Sequence, residues 1–504
     1  MLEEKRAPIT TTVVKNSFWN FLMVLFAKIG GLIFTILLAR FLLPEKFGVY
    51  NLAMSITLIL LTFADIGINQ SLIRYFSDAF PRKKELAIAR YNYLFKLKLI
   101  LTFAFALFLL VFAFPISEYI FKKPALAFPI IFSSFYLIIL SIESFYESFF
   151  YITEKVQYLT LKQVLWEILR IFGALLTFVF LASYYYILGV IGVLIISTLI
   201  VLLFLLYYLK KFIPVIFSSS QKTPLSIEDK KRINKFLIYL TLGGTLTMIF
   251  GYIDTIMIGI FLSAEYVGYY SAAYAFVGGL SSLITVANIL LPLFTKLKKQ
   301  RLSYAFEKVF KYTLIIAVPM VFGLLTLSRY IITTVYGHDY LPAVLPLYFL
   351  VFLIIETPIT NTLKSLLAAK EKPQYFVTIL MIATIMNILL NYIFIISFMK
   401  FSLIWAATGA AIATLITRYF YFFGLSIYIK KKIKVRMDFS QIVKPLIASI
   451  IMSLILLWIN SKVQMSFALG ITEVFLGIII YFSSMLIIKG ISKQDFLLLK
   501  ELFK

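Results

Sequence analysis

There is no cysteine among the 504 residues and a single histidine, His338. Disulfides and thiolate metal sites are excluded, and one imidazole does not build a zinc centre. No metal and no cofactor is expected. The chain also lacks a phosphate-binding P-loop, a nucleophile elbow and a metal-ligand helix motif, so nothing points to an enzyme. Charge is scarce too: charged residues make up 14% of the chain, against 62% hydrophobic and 17% aromatic residues. A water-soluble core cannot hide that much apolar surface.

What the chain has is long apolar runs, several beyond the roughly 20 residues that cross a bilayer. Read in order they give about fourteen transmembrane helices, at 18–43, 47–75, 88–114, 125–151, 159–182, 186–212, 234–261, 265–295, 304–327, 342–368, 374–398, 402–429, 441–460 and 465–489. The predicted fold class is an all-α integral membrane protein. The first run is too long for a secretory signal, lacks a small-residue cleavage site and follows a charged tail, so it reads as a retained helix.

A net charge of +25 would suggest nucleic acid in a soluble protein, but here its distribution decides, and no nucleic-acid partner is expected. Both tails and the even-to-odd loops, taken with the helix segments that flank them, collect 38 of the 48 Lys and Arg, whereas the opposite loops hold only Lys46, Lys122, Lys123, Arg329, Lys400 and Lys462. Lys28, Arg40, Arg170 and Arg418 fall within helices. The positive-inside rule then places both termini on the cytoplasmic side of the plasma membrane.

The chain repeats itself. Phe41-Leu42-Leu43-Pro44-Glu45-Lys46-Phe47-Gly48-Val49-Tyr50 returns 220 positions later as Phe261-Leu262-Ser263-Ala264-Glu265-Tyr266-Val267-Gly268-Tyr269-Tyr270, with Phe, Leu, Glu, Gly and Tyr in register. Glu154-Lys155-Val156-Gln157-Tyr158 is echoed by Glu371-Lys372-Pro373-Gln374-Tyr375 at nearly the same spacing. The expected organisation is an N-terminal six-helix lobe at 1–213, a polar linker at 214–233, a second six-helix lobe at 234–430, and two further helices with a tail at 431–504. An even number of spans per lobe makes the repeats parallel, related by an axis along the membrane normal. Pro292, Pro319, Pro346 and Pro358 sit within predicted spans, where each favours a kink. Ala406-Ala407-Thr408-Gly409-Ala410-Ala411 offers a small-residue packing surface.

Ionisable residues inside the runs carry the functional argument. Lys28, Asp65, Glu143, Glu147, Glu167, Arg170, Asp254, Glu356, Arg418 and Glu473 would each cost roughly 2.5–3.5 kcal/mol against lipid at the bilayer centre. Most must face a partner or a wet cavity. Thr62, Asp65 and Asn69 share one helix face, and Ser281, Thr285 and Asn288 make a comparable stripe. Glu167 and Arg170 are spaced to neutralise one another; Glu143 and Glu147, four apart, form a like-charge pair. Lys28, near the midplane, suits an anionic cargo or pairs with Asp65. Arg40 and Arg74 lie near helix ends. Tyr266, Tyr269, Tyr270 and Tyr274 fit an interfacial aromatic belt, and His338 a solvated loop.

The segment from Ala39 to Tyr50, then Phe63-Ala64-Asp65-Ile66-Gly67-Ile68-Asn69 and Leu72-Ile73-Arg74-Tyr75, resembles the start of polysaccharide-biosynthesis flippases of the Wzx type, within the multidrug/oligosaccharidyl-lipid/polysaccharide exporter superfamily. Tyr252-Ile253-Asp254-Thr255-Ile256-Met257-Ile258-Gly259 and the helix count extend the likeness over essentially the whole chain. The resemblance implies two six-helix lobes around a cavity lined by helices 1, 2, 7 and 8 that alternates between the two sides. It implies a polyprenyl-pyrophosphate-linked oligosaccharide as cargo, with membrane lipids and glycan assembly machinery as partners.

On this reading Lys28, Arg40, Asn69, Arg74 and Asn288 are candidate cargo contacts. Asp65, Glu143, Asp254 and Glu356 are candidates for coupling to protons or sodium ions. The alternative is a drug or metabolite cation antiporter of the same superfamily; a cationic cavity favours pyrophosphate, an acidic one organic cations.

Overall fold

An apolar run that meets Leu43-Pro44 does not continue as one straight helix, because proline disfavours helical backbone at the residue before it. In the computed structural model, which describes residues 9–218, 224–284, 299–370, 373–435, 437–462 and 467–491, helix α1 (Ile9–Asp65) breaks at Leu43, with φ 63° and ψ 168°. Pro44 then opens the second arm, where its missing N–H is no loss. The later helices are α2 (Ile68–Ala79), α3 (Lys84–Pro115), α4 (Ala127–Ile152), α5 (Val156–Phe180), α6 (Tyr186–Phe212), α7 (Ile227–Phe261), α8 (Ala264–Ile284), α9 (Lys299–Val335), α10 (Val344–Leu350), α11 (Leu353–Ala369), α12 (Pro373–Met399), α13 (Leu403–Lys432), α14 (Val443–Asn460) and α15 (Phe467–Ile487).

Among the described residues, eleven helices are long and apolar enough to cross a membrane, twelve if the bent pair α10–α11 counts as one span. The first of these stretches, Lys15–Ala79, is 65 residues long and contains two of the expected runs; the run at 265–295 lies partly outside the described residues. Two runs expected to be continuous are broken. The run 47–75 stops at Asp65 because Ile66 and Gly67 take φ of 36° and 72°, and α10 and α11 meet at 49°.

By contacts the chain forms two compact units, Met1–Ser271 with Asn387–Ile396, and Ala272–Met386 with Ser397–Lys504. In the first, the arm before Leu43 climbs along α5: the Thr160 hydroxyl donates to the Trp19 carbonyl, and Phe41 stacks on Phe178 with centroids 4.5 Å apart. The arm after Leu43 runs along α4, with Thr57 donating to Ser133 at 2.6 Å and Asn69, beyond the break, to Ser144 at 3.2 Å. Since α4 folds back onto α5 through Glu154 at φ 57°, the chain reverses direction at Leu43. Phe76, Phe145 and Phe149 are fully buried where α2 and α4 meet, with edge-to-face rings.

The repeated motifs meet at this turn. A Cβ on Gly48 would fall on the carbonyl of Ala264, and one on Gly268 would fall on the carbonyl of Pro44. These positions correspond across the 220-residue offset, so the contact is reciprocal in the manner of a two-fold interface. Only glycine lets the backbones approach this closely. Beside them, Lys123 donates to the Gly259 carbonyl at 2.6 Å, and burial holds its pKa below the ordinary lysine range.

In the second unit α14 and α15 pack on α9, where the buried Tyr481 hydroxyl donates to the Ile315 carbonyl at 2.7 Å. Ala406, Ala407, Thr408, Gly409, Ala410 and Ala411 are all buried, giving α13 the expected close-packing face. Helix α9 runs on through Pro319 and α11 through Pro358; the sharp bend falls between Pro346 and Pro358.

Candidate functional site

Helix α5 carries Lys162, Gln163, Trp166, Glu167 and Arg170 at a spacing that gathers them on one face. They meet Glu143 and Glu147, one turn apart on α4, around a cavity of about 580 Å3 in the first unit whose walls include Tyr50, Asn51, Glu143, Lys162, Trp166 and Arg170. Lys162 bridges the two acids, with Nζ 2.6 Å from Glu143 and 2.9 Å from Glu147. Arg170 donates through Nε to Glu167 at 2.8 Å, and Gln163 donates to the other oxygen of that carboxylate at 2.8 Å. The Arg170 guanidinium also lies 4.0 Å from the Trp166 ring centre and 4.6 Å from that of Phe34. Each charge is therefore held by an opposite one, which removes most of the penalty of burial. Three carboxylates face two cations.

The other expected residues are dispersed. Asp65 pairs with Lys98 of α3, Nζ to Oδ1 2.7 Å, and Lys98 is fully buried. Lys28 is thus not the partner of Asp65. Asp65 and Asn69 do not share a continuous helix face, because the backbone turns left-handed between them. Lys28 and Arg40 are exposed on α1. Seven residues separate Lys28 from Thr35, a wall residue of the cavity, so both lie on one stripe of the helix about two turns apart.

Asp254 is buried and accepts from Tyr270 at 2.8 Å and from Asn391 at 2.7 Å. Tyr270 is a fully buried ligand of an acid rather than part of an interfacial belt. Arg74 lies 4.6 Å from the Phe236 ring centre and, with Arg232 and Asp78, walls a pocket of about 400 Å3.

In the second unit Glu356 is buried and accepts from Thr357 and Thr360, near the cations Arg418 and Lys364. Arg418 itself donates to the Tyr274 hydroxyl at 3.1 Å. His338 is exposed. Asn288, with Thr285 and Pro292, lies outside the described residues.

Sequence reasoning missed Lys98, Lys162 and Lys364: they fall within the expected spans 88–114, 159–182 and 342–368 but are counted there with the basic loops beside them. The signal was position: Lys98 lies fourteen residues into α3, about 21 Å along the helix. Replacing Lys98 with Met is expected to destabilise the protein by about 3 kcal/mol by stranding Asp65, and adding Asp65→Asn to restore most of it. Thermal unfolding in detergent measures both, and an unchanged melting temperature for Lys98→Met would show that the pair contributes nothing.

Residues 13–298 match the profile of a family described as polysaccharide biosynthesis protein. The chain is 24% identical over 293 residues to a probable low-salt glycan biosynthesis flippase, Agl15, of Haloferax volcanii, covering 55% of this chain and 59% of that one. It is 24% identical over 420 residues to an uncharacterized membrane protein of Methanocaldococcus jannaschii, 80% of each chain being covered. Among solved structures, the lipid II flippase MurJ in an inward closed conformation superposes with a TM-score of 0.75 at 17% identity, over 94% of this chain and 98% of that one. An inward-facing multidrug resistance MATE transporter gives 0.59 at 14% identity, over 82% and 95%. These likenesses establish the fold, and the profile establishes the family: the chain belongs to the polysaccharide biosynthesis protein family.

Proposed function

We propose that this chain is a flippase that carries a polyprenyl-pyrophosphate-linked oligosaccharide across the cytoplasmic membrane by alternating access, supplying a glycan assembly machinery. The observation that carries the reading is the charged cavity among apolar spans in the first unit. Hydrated sugars and a pyrophosphate do not cross hydrocarbon unaided, and such a chamber replaces part of their water. A second cavity, of about 440 Å3, lies in the second unit against Leu280, Pro319, Leu324, Met452 and Phe482. Its walls suit an isoprenoid chain.

On this proposal the termini and basic loops face the cytoplasm, and 1–213 and 234–430 act as the two lobes on either side of the linker 214–233, with 431–504 appended. Lys28 is the leading pyrophosphate contact, with Arg40, Asn69, Arg74 and Asn288 as further cargo contacts. Asp254, Glu356, Glu143 and Asp65 are the groups through which a proton or sodium gradient acts. Export of an organic cation is the second reading, favoured by the three carboxylates, Glu143, Glu147 and Glu167, that face only Lys162 and Arg170 in the network on α4 and α5.

Deleting the protein from its source cells is expected to strip glycan from the surface and to accumulate the lipid-linked oligosaccharide in the inner leaflet. Lys28→Ala should reproduce both effects with the protein still inserted. Intact surface glycan in the deletion strain would sink the flippase reading, and intact glycan in the variant alone would remove Lys28 from it.

A further inference from the structure

Where α2 ends and α7 begins, three arginines crowd one tyrosine. The guanidinium groups of Arg74 and Arg232 each lie 5.7 Å from the Tyr75 ring centre, and that of Arg90 lies 5.6 Å away. Arg90 is buried and answers the nearby acids: it reaches Asp229 at 3.2 Å and Asp78 at 3.7 Å, and donates to the Tyr75 carbonyl at 2.8 Å. Arg74 and Arg232 form no ion pair among the described residues. Two cations over one ring repel each other, and contact with aromatic faces offsets only part of that. An anion between them would offset the rest.

The two helices are held in this crowded arrangement by other bonds. The Tyr75 hydroxyl donates to the Arg232 carbonyl at 3.5 Å, and that of Tyr93, on α3, donates to Asn234 at 2.8 Å. With Tyr75, Ser77 and Asp78, the two arginines then wall a pocket of about 400 Å3, within the roughly 300–1,000 Å3 that takes a small headgroup. Guanidinium groups pair with phosphate oxygens in bidentate fashion.

The surroundings point to a lipid as the source of that phosphate. Arg82, Lys83 and Lys84 follow α2, and Lys231 and Lys235 flank Arg232, all of them exposed. A basic cluster of this size beside a membrane span attracts anionic headgroups. Tyr75 and Phe236 add the aromatic surface common at the edge of the bilayer.

We propose that this pocket holds the phosphate of an anionic membrane phospholipid from the leaflet on the basic-loop side, and that the bound headgroup ties α2 to α7. Both helices lie in the first compact unit, yet α2 belongs to the first repeat and α7 opens the second. The headgroup therefore braces the repeats at this end, and transport depends on the lipid around the protein. The inference uses the proposed membrane orientation and not the identity of the cargo. The cargo's diphosphate shares the phosphate chemistry, so the test sets the two lipids against each other.

Full-length protein in detergent is titrated with dioctanoyl phosphatidylglycerol, dioctanoyl phosphatidylcholine or inorganic phosphate, and bound lipid is counted by native mass spectrometry. Spin labels on Glu85→Cys of α3 and Glu228→Cys of α7, in a chain with no cysteine of its own, report the spacing of the helices. One phosphatidylglycerol is expected to bind saturably and to narrow the label distances, whereas phosphatidylcholine and phosphate at the same concentration do neither. Arg74→Gln and Arg232→Gln should each weaken that binding by about tenfold, and the double variant Lys231→Gln with Lys235→Gln should change it little. The comparison of lipids on wild type needs no variant to fold.

Equal binding of phosphatidylcholine, competition by inorganic phosphate at the lipid's own concentration, or a loss in the lysine variant as large as in the arginine ones overturns the site. Polyprenyl diphosphate that displaces phosphatidylglycerol at a far lower concentration gives the pocket to the cargo, ending this inference and leaving the flippase reading in place. Saturable phosphatidylglycerol binding by a protein that moves no lipid-linked glycan keeps the inference and ends that reading.

Discussion

Gly48→Leu is expected to hold the two repeated turns apart and to slow transport by roughly ten- to a hundredfold. The side chain would have to occupy the space of the Ala264 carbonyl, and overpacking of this kind costs about 1–3 kcal/mol. The strain is not relieved by rotating a side chain, because the obstacle is backbone. Gly268→Leu, against the Pro44 carbonyl, should behave in the same way, as the reciprocal geometry demands. The measurement is direct because the chain has no cysteine of its own: spin labels on Glu45→Cys and Glu265→Cys, equivalent positions of the repeat, report the separation of the turns. A longer distance in both glycine variants is predicted. Unchanged distances with normal transport would mean that the close approach plays no part in the transport cycle.

If the proposed coupling to a proton or sodium gradient runs through Asp254, Asp254→Asn is expected to lower gradient-driven movement by roughly ten- to a hundredfold while slow equilibration persists. The carboxylate is buried and accepts charge-assisted hydrogen bonds from Tyr270 and Asn391, each worth about 1.5–3 kcal/mol. The amide keeps the shape and loses the charge. Glu356→Gln, among Thr357, Thr360 and the nearby Arg418, provides the comparison in the second unit. Equal dependence on proton and sodium gradients in wild type and Asp254→Asn would assign coupling to another group.

The parts of this fold governed by hydropathy and by local chain chemistry could be read from the residues. Apolar runs located nearly all the helices, and the Phe41–Tyr50 repeat marked the two segments whose glycines meet. Spacing alone paired Glu167 with Arg170. Interruptions were harder to read: Gly67 was the one visible sign that α1 ends at Asp65, and its apolar neighbours masked it. At Val351-Phe352 no glycine or proline stands at the bend, where α10 and α11 both pack on α13.

The polar partnerships depended on tertiary neighbours. Lys98 and Lys162 lie inside expected spans but are counted there with the basic loops that precede them, and the acid each faces sits on another helix. Tyr270 read as a belt residue because sequence distance to Asp254 says nothing of burial. The cavity on α5 became recognisable only once α4 supplied Glu143 and Glu147.

The most direct test of the account is made in sealed vesicles containing the purified protein and the lipid-linked oligosaccharide from its source cells, with the glycan labelled. Addition of a membrane-impermeant glycosidase reports which leaflet holds the headgroup. The account predicts that an applied ion gradient draws the labelled glycan to the outer leaflet far faster than in protein-free vesicles, and that Lys28→Ala abolishes the acceleration. A glycan that stays in its leaflet at the protein-free rate, with the protein correctly inserted, would contradict it.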